Sequence, residues 1–275
     1  LGFLAACRRL DSDQYEHDTE LRTLIDVVAF GVPSEPPQPG PAPVARGTLF
    51  PDDARIMVWN GGLWDWMDPL TPIRAMARLR RDGMDWRLVF NGAGRPSHRE
   101  QMGMAERARG LADELGLIRS GSVVFRPGWT PYAERGLLLL EADVGISTHP
   151  PTLEARFAHR SRMLDFFWTR LPILCTEGDA WSNEVVAHEL GEAVRPGDPE
   201  AFAAAAQRIA DRGRAAYEPA LAAAAAERTW DRTVEPLLRL VDVVLSADRR
   251  HLPDVASIGL RLRYSTASAA RHVRR

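Results

Sequence analysis

The hydrophobic and polar positions of the chain alternate between two patterns from Arg55 onward. Short apolar runs typical of buried strands are followed by segments in which apolar residues recur at three- and four-residue spacing, as in amphipathic helices. The predicted strands cover 55–60, 86–92, 122–128, 143–149, 171–177 and 192–197. The predicted helices cover 69–83, 98–116, 131–142, 160–170, 181–191 and 199–213. This alternation predicts an α/β fold, a Rossmann-like doubly wound parallel sheet with right-handed crossovers.

The regions that flank this alternation have different patterns. An apolar run over 25–33 ends in turn residues and predicts a strand. The six prolines of 33–43 exclude a helix or a central strand and predict a semi-extended linker. Alanine-rich residues 214–245 predict helices with breaks near Pro219 and Thr229. The remainder carries seven arginines and two aspartates, from which we expect a flexible basic tail without a nucleic-acid partner.

The composition is that of a globular protein. The 275 residues carry a formal net charge of -2 at pH 7, and 45% of them are hydrophobic. Two distant cysteines provide neither a disulfide framework nor a zinc ligand set, and no apolar window is long enough for a membrane span. We therefore expect a cytoplasmic protein. All 35 cationic residues are arginine, so an anion site must use arginine, histidine or backbone N–H groups.

Doubly wound sheets bind ligands beyond the carboxyl ends of their strands, which makes the loops that follow the strands the candidate site. After the first strand, Gly61 and Gly62 allow a phosphate to approach the backbone, and the next helix offers free N–H groups. Trp64 and Trp66 either line the ligand cleft or pack in the core. Asp65 and Asp68 of this loop either face the ligand or cap the neighbouring helices.

The loop after the strand 143–149 is the most polar stretch of the chain. Its carboxylates and cations are Glu154, Arg156, His159, Arg160, Arg162 and Asp165. Three arginines near a helix N-terminus oppose the helix dipole, which is unfavourable unless an anion shares the space. The alternative is a set of surface ion pairs, in which Arg162 meets Asp165 and Glu154 meets one of the other arginines.

A further glycine turn, 176-TEGDAWSNE-184, leads into a predicted helix. Gly178 offers a backbone N–H group to a ligand oxygen, whereas in the alternative Asp179 or Ser182 only caps the helix. The turn at Asn91 and Gly92 follows the second strand and is expected at the same edge of the sheet.

The segment LDFFWTRLPILCTEGDAWSNEVVAHELGEAVRPGDPEAFAAAA, residues 164–206, resembles the carboxyl-terminal domain of the retaining family 4 glycosyltransferases of GT-B fold. The features Pro-Ile, Gly and Pro-Gly-Asp-Pro-Glu occur in the family's order. The apolar run 25–33 is similar to the end of the amino-terminal domain, and 229–241 is similar to the final helix that crosses back to it. The resemblance implies two Rossmann-like domains that face a cleft, of which the carboxyl-terminal one holds a nucleotide-sugar donor.

The resemblance also implies a division of the chain. Residues 1–33 would be a remnant of the amino-terminal acceptor domain, followed by a proline-rich linker over 34–53. The nucleotide-sugar-binding domain would cover 54–228 and the cross-over helix 229–245, with the basic tail at 246–275.

The family's binding motif transfers only in part. Its second motif acid corresponds to Asp165, which by resemblance would bind ribose hydroxyls, but the first corresponds to Phe157, so Glu154 is the nearest replacement. The family's phosphate-binding arginine and lysine would fall at Gly62 and Met67, where neither cation is present. We expect the arginines of 156–162 to replace that charge. The resulting donor-binding residues are Gly61, Gly62, Leu63, Trp64, Asp65, Asn91, Gly92, Glu154, Arg156, Arg160, Arg162, Asp165, Gly178 and Asp179.

These considerations predict a hexosyltransferase-type glycosyltransferase that moves a sugar from a nucleotide-sugar donor to an unknown acceptor with retention. The chain would carry mainly the donor-binding half and be inactive alone. The donor is a substrate, so no cofactor and no metal is expected, and catalytic residues are not assigned. The alternatives are a non-catalytic nucleotide-binding or scaffold module and a nucleotide-sugar epimerase.

Overall fold

The computed structural model describes residue 6 and residues 12–22, 24–92, 103–128 and 130–246. The described residues divide into two compact units, one made of those within 29–233 and the other of those within 1–28 and 234–275. In chain order, the helices and strands are α1 (Ser12–His17), β1 (Arg55–Asn60), α2 (Leu70–Arg81), β2 (Trp86–Asn91), α3 (Gly103–Glu114), β3 (Val123–Phe125), α4 (Arg135–Glu141), β4 (Val144–Ser147), α5 (Leu153–Phe157), α6 (Arg162–Trp168), β5 (Ile173–Thr176), α7 (Ala180–Ala187), β6 (Gly191–Val194), α8 (Pro199–Arg212), α9 (Glu218–Ala226), α10 (Trp230–Thr233) and α11 (Glu235–Ser246).

A single sheet organises the larger unit. Its six strands are all parallel and follow the order β3-β2-β1-β4-β5-β6, so the chain winds outward in both directions from the centre. Asn60 pairs with Asn91 at the ends of β1 and β2, which places both side chains at the carboxyl edge. The predicted α/β class and doubly wound parallel sheet are thus confirmed.

The buried core lies between this sheet and the helices on its faces. Trp59, Trp86 and Phe90 are fully buried on the central strands, and α2 packs against α8. The absence of a side chain at Gly145 in β4 lets α6 approach closely. A Cβ at that position would lie 2.6 Å from Cδ1 of Phe166.

The structure differs from the sequence predictions at three places. The predicted strand 25–33 is wrong, because residues 25–31 form no strand and Val32 makes only an isolated bridge to Thr229. The short helix α5, capped by the Thr152 hydroxyl, was not predicted. The predicted terminal helix is divided between α10 and α11, which belong to different units. The beginning of the predicted helix 98–116 and nearly all of the predicted basic tail lie outside the described residues.

The proline-rich segment is held against the sheet domain by one carboxylate. Glu141, at the end of α4, accepts hydrogen bonds from the backbone N–H groups of Val44, Ala45 and Arg46, at 2.7, 2.9 and 2.8 Å. The Arg46 guanidinium also pairs with Asp143 at 2.8 Å. This segment therefore belongs to the same compact unit as the sheet, while the division into an amino-terminal remnant, linker and donor domain stays a prediction.

The smaller unit contains α1 and α11. Within it, Arg239 on α11 lies 3.6 Å from the Asp26 carboxylate. In the part of the chain that the structure describes, no helix combines the length and the apolar character that crossing a bilayer requires.

Candidate functional site

A cavity of ≈ 550 Å³ opens at the carboxyl edge of the sheet, within the larger unit. This is the edge at which doubly wound sheets bind ligands, and the volume lies within the usual range of small-molecule sites. Asn60 and Asn91 from the ends of β1 and β2 line the cavity, together with residues of the β1–α2 loop and of α6. The fold therefore brings several separate segments of the chain together here.

The glycine turn after β1 forms part of the cavity wall. Gly61 has a φ of +104°, a conformation that favours glycine, and its N–H donates to the Asn91 carbonyl at 2.7 Å. Gly92 lies so close that a Cβ there would be 3.3 Å from the Gly61 Cα. The Gly61 N–H is thus used within the protein. The Gly62 carbonyl instead accepts hydrogen bonds from Trp59 Nε1 and from Nη2 of Arg162, at 3.3 and 3.2 Å.

The two tryptophans of the loop lie on the cavity wall. Trp64 and Trp66 stack in parallel with ring centroids 5.3 Å apart, and both line the cavity. Trp66 remains 43% exposed, so it is not a core residue. Leu63, by contrast, is buried in the hydrophobic core and does not line the cavity.

The aspartates of the loop act as helix caps. Asp65 accepts a hydrogen bond from the backbone N–H of Met104 at 2.7 Å, near the start of α3. Asp68 accepts bonds from the backbone N–H groups of Leu70 and Thr71, both at 3.1 Å, at the start of α2. Asp65 also lies outside the cavity lining, so the structure favours the capping alternative for it.

The arginines of the polar loop occupy different environments. Arg160 is buried and makes two hydrogen bonds to the Glu154 carboxylate, at 3.1 and 3.3 Å, and both residues line the cavity. Arg156 is exposed on α5 and lies outside the lining, with its guanidinium 5.8 Å from the ring of Phe157. The ion pair that sequence analysis proposed for Glu154 is therefore observed, with Arg160 as its partner.

Arg162 is buried in the cavity wall without a carboxylate partner among the described residues. It is 8% exposed, its Nη2 lies 3.2 Å from the Gly62 carbonyl and 2.9 Å from the sulfur of Met67, and its guanidinium stacks 4.3 Å from the Trp59 ring. Its Nη1 has no hydrogen-bond partner in the described chain. Burial, together with the charge of Arg160, lowers the pKa of Arg162 to about 9.

Asp165, one turn further along α6, pairs with an arginine that sequence analysis missed. Its carboxylate accepts from Nε of Arg135 and from the Asn60 amide, both at 3.0 Å. The Arg135 guanidinium also stacks on Tyr132 and Trp168, at 3.7 and 4.2 Å from their ring centroids. Burial raises the pKa of Asp165, although Arg135 and Asn60 act in the opposite direction. The predicted pair of Arg162 with Asp165 is not formed.

The turn before α7 lies away from the cavity. Asp179 caps α7 through a 2.7 Å bond from the Ser182 N–H, and neither Asp179 nor Gly178 lines the cavity. The His149 Nε2 atom lies 3.3 Å from Asp179. Burial alone would raise the pKa of Asp179, but His149 and the Ser182 N–H outweigh it and lower the pKa. This arrangement matches the capping alternative.

Several residues that line the cavity were not among the predicted site residues. Thr130 and Tyr132 lie between β3 and α4, and Arg135 is the first residue of α4. No local pattern distinguishes these three from other surface residues. Phe30 and Trp230 join the lining from the two ends of the larger unit's sequence. Asn60 was detectable, since it ends a predicted strand at the ligand-binding edge. Among the described residues, no group of three His, Cys, Asp or Glu is placed to hold a metal ion.

No protein-family model matches the chain, and no curated protein matches it in sequence. Solved structures match its fold. A glycosyltransferase from Rickettsia africae ESF-5 has a TM-score of 0.64 at 14% identity, over 86% of this chain and 62% of that one. Sucrose-phosphate synthase from Thermosynechococcus elongatus has a TM-score of 0.62 at 21% identity, over 87% of this chain and 58% of that one. Anabaena HepE in complex with UDP-glucose has a TM-score of 0.56 at 15% identity, over 71% of this chain and 50% of that one.

At these identities the likeness concerns the fold. The six-stranded parallel sheet flanked by helices matches half of GT-B glycosyltransferases. The chain spans between 50% and 62% of the length of the three proteins just described.

Proposed function

We propose that this chain is the donor-binding half of a glycosyltransferase of GT-B fold, and that its cavity binds a nucleotide sugar through the diphosphate. The observation that carries the proposal is Arg162, a buried cation that lines a cavity and has no anionic partner among the described residues. Buried charges are costly unless paired, so a cation held in this state favours binding of an anion.

The position of Arg162 supports phosphate as that anion. By resemblance, the family's phosphate-binding cations would fall at Gly62 and Met67, which here carry no charge. Arg162 reaches both positions from α6, since its Nη2 lies 3.2 Å from the Gly62 carbonyl and 2.9 Å from the Met67 sulfur. A guanidinium offers planar, charge-assisted hydrogen bonds to phosphate oxygens. In glycosyl transfer, the same contacts would stabilise the negative charge that develops on the departing diphosphate.

The other charged side chains of the cavity are already paired with each other. Arg160 pairs with Glu154, and Arg135 pairs with Asp165, which leaves Arg162 as the unpaired cation among the described lining residues. Asp165 keeps acceptor capacity toward the cavity, in agreement with the ribose-binding role that the resemblance implies for it. Anabaena HepE, which shares the fold, has been solved with UDP and with UDP-glucose. Since this chain spans about half of that protein, we propose donor binding as its own activity and sugar transfer with retention as that of the two-domain enzyme.

Isothermal titration calorimetry of the chain with UDP, GDP, ADP and their sugars tests the proposal. One of these ligands should bind, and Arg162→Gln should weaken it about ten- to 150-fold, the equivalent of losing a charged hydrogen bond of about 1.5–3 kcal/mol. Arg156→Gln is the matched control, because Arg156 is exposed and lies outside the cavity. Absence of binding by every ligand, or equal losses in both variants, would contradict the proposal.

A non-catalytic nucleotide-binding module is a second candidate, favoured by the carboxylates of the site. Phe157, which stands where the family has its first motif acid, is 76% exposed. Glu154, the nearest replacement, is engaged by Arg160. Product analysis with the two-domain protein separates the candidates, because transfer or hydrolysis of the bound nucleotide sugar excludes the non-catalytic module.

A further inference from the structure

A chain of polar side chains connects Asp165 to Thr130 along the carboxyl edge of the sheet. The Asn60 Nδ2 group donates to Asp165 at 3.0 Å, and the Asn91 Nδ2 group donates to the Asn60 Oδ1 atom at 2.9 Å. The Asn91 Oδ1 atom accepts from the Thr130 hydroxyl at 2.8 Å and from Arg126 at 3.3 Å. We call Asn60 and Asn91 the amide relay.

The ends of the relay determine the orientation of both amides. Arg126 can only donate hydrogen bonds, so the Asn91 oxygen must face it. Asp165, as a carboxylate, can only accept, so the Asn60 nitrogen must face it. With the amides in these orientations, the Asn91 nitrogen faces the Asn60 oxygen, which is the hydrogen bond observed between them. Both asparagines are buried, so reversing either amide would leave buried polar groups unsatisfied.

This orientation determines what the cavity presents to a ligand at Thr130. Because the Thr130 hydroxyl donates its hydrogen bond to Asn91, only the lone pairs of the hydroxyl oxygen remain for a partner in the cavity. Asp165 likewise offers only acceptors. A ligand must therefore bring hydroxyl or N–H donors to both ends of the relay, while its anionic group is attracted to Arg162.

We infer that Asn60 and Asn91 are positioning residues that couple Asp165 to Thr130: Arg126 and the Asp165 carboxylate fix the two amides from opposite ends, and Asn91 thereby sets the hydrogen-bonding direction of Thr130. Through this coupling they select ligands with donor groups at that end of the cavity. The statement about the ligand rests on the proposed function, whereas the coupling is a property of the protein alone.

Side-chain NMR of the ligand-free protein tests the coupling. The sequence has three asparagines, Asn60, Asn91 and Asn183, so asparagine-selective ¹⁵N labelling gives three side-chain amide groups. As the pH falls and Asp165 takes up a proton, Asn60 loses its charged acceptor and its resonances should shift. Asn91 donates to Asn60, so its resonances should shift with the same midpoint. Arg135 is the charged group that faces Asp165 in the described chain.

Two controls accompany this titration. Asn183 is exposed on α7, outside the cavity lining, and should not follow the shared midpoint. Asp165→Asn should abolish the shared titration of the two relay residues. The inference is overturned if Asn91 stays unmoved while Asn60 titrates, if their midpoints differ, or if the shared titration survives in Asp165→Asn.

A second experiment tests the selection of ligands. Wild-type protein should bind UDP about tenfold more tightly than 2′,3′-dideoxy-UDP, the equivalent of about one hydrogen bond to a charged group. Asn91→Leu should reduce that ratio while the dideoxy nucleotide still binds. An unchanged ratio in Asn91→Leu overturns the selection. If the wild-type protein binds no nucleotide at all, the proposed function fails, and the NMR titration alone decides the coupling.

Discussion

Replacement of Arg162 by methionine should leave the free protein more stable while weakening the nucleotide binding that we propose for it. The lowering of the Arg162 pKa to about 9 corresponds to about 5 kcal/mol that opposes the charged form in the folded state. Stacking on Trp59 offsets about 2 kcal/mol of this, and the bond to the Gly62 carbonyl offsets about 1 kcal/mol. Methionine fills a similar volume, and the Gly62 carbonyl keeps its bond from Trp59 Nε1.

We therefore expect Arg162→Met to raise the free energy of unfolding by about 2 kcal/mol, which is a rise of about 4–8 °C in Tm for a domain of this size. The measurement is urea denaturation of the wild type and the variant near pH 7. Arg156→Met, a substitution on the exposed face of α5, should change stability by less than about 0.5 kcal/mol.

The difference in stability between the wild type and Arg162→Met should depend on pH. Because burial lowers the folded-state pKa of Arg162 to about 9, the unfolded chain binds more protons at Arg162 than the folded chain does once the pH rises through 9. Wild-type stability therefore gains from this group as the pH rises through 9, so the advantage of Arg162→Met should shrink toward pH 10. A loss of more than about 2 kcal/mol in Arg162→Met would refute the reasoning, since it would make the buried guanidinium a structural group.

Two further predictions concern residues that anchor the fold around the site. Glu141→Gln should destabilise the protein by about 2 kcal/mol, because an amide cannot accept hydrogen bonds from all three backbone N–H groups of 44–46. The same substitution should speed proteolysis within 34–53, and cleavage at the wild-type rate would argue against this anchor. Asp179→Ala should lower the free energy of unfolding by about 1 kcal/mol through loss of the α7 cap. Because folding lowers the pKa of Asp179 from 3.8, this difference in stability should persist above pH 3.8 and vanish as the pH falls through the folded-state pKa. Nucleotide affinity in Asp179→Ala should stay within about twofold of the wild type, and a larger loss would return Asp179 to the binding site.

The fold was predictable because its determinants are local. Each strand of the sheet is a short apolar run next to an amphipathic segment, and the alternation alone selects a parallel doubly wound sheet. The strand predicted at 25–33 was wrong because this run has the apolar composition of a strand but no neighbouring strand with which to pair. The proline-rich segment was correctly predicted to lack a helix, yet its anchor, Glu141, lies about a hundred residues away in the sequence.

The site was less predictable because its pairs are not local. Arg160 and Arg162 are two residues apart and look equivalent in sequence, but the structure pairs the first with Glu154 and leaves the second without an anion. Arg135 pairs with Asp165 from a different helix, 30 residues away. Spacing rules reach only residues on one helix or strand, so they favoured the pair of Arg162 with Asp165, which does not form.

The position of Arg162 also accounts for the uncharged residues after β1. Its Nη2 lies within 3.2 Å of the Gly62 carbonyl and 2.9 Å of the Met67 sulfur, the two positions where by resemblance the family places its cations. A lysine or arginine at either position would bring a second positive charge against a guanidinium that burial already disfavours. A cationic side chain from α6 and one from the β1–α2 loop therefore cannot both occupy this position in the cavity. An uncharged residue at Gly62 and at Met67 is then a condition for Arg162 to occupy that place.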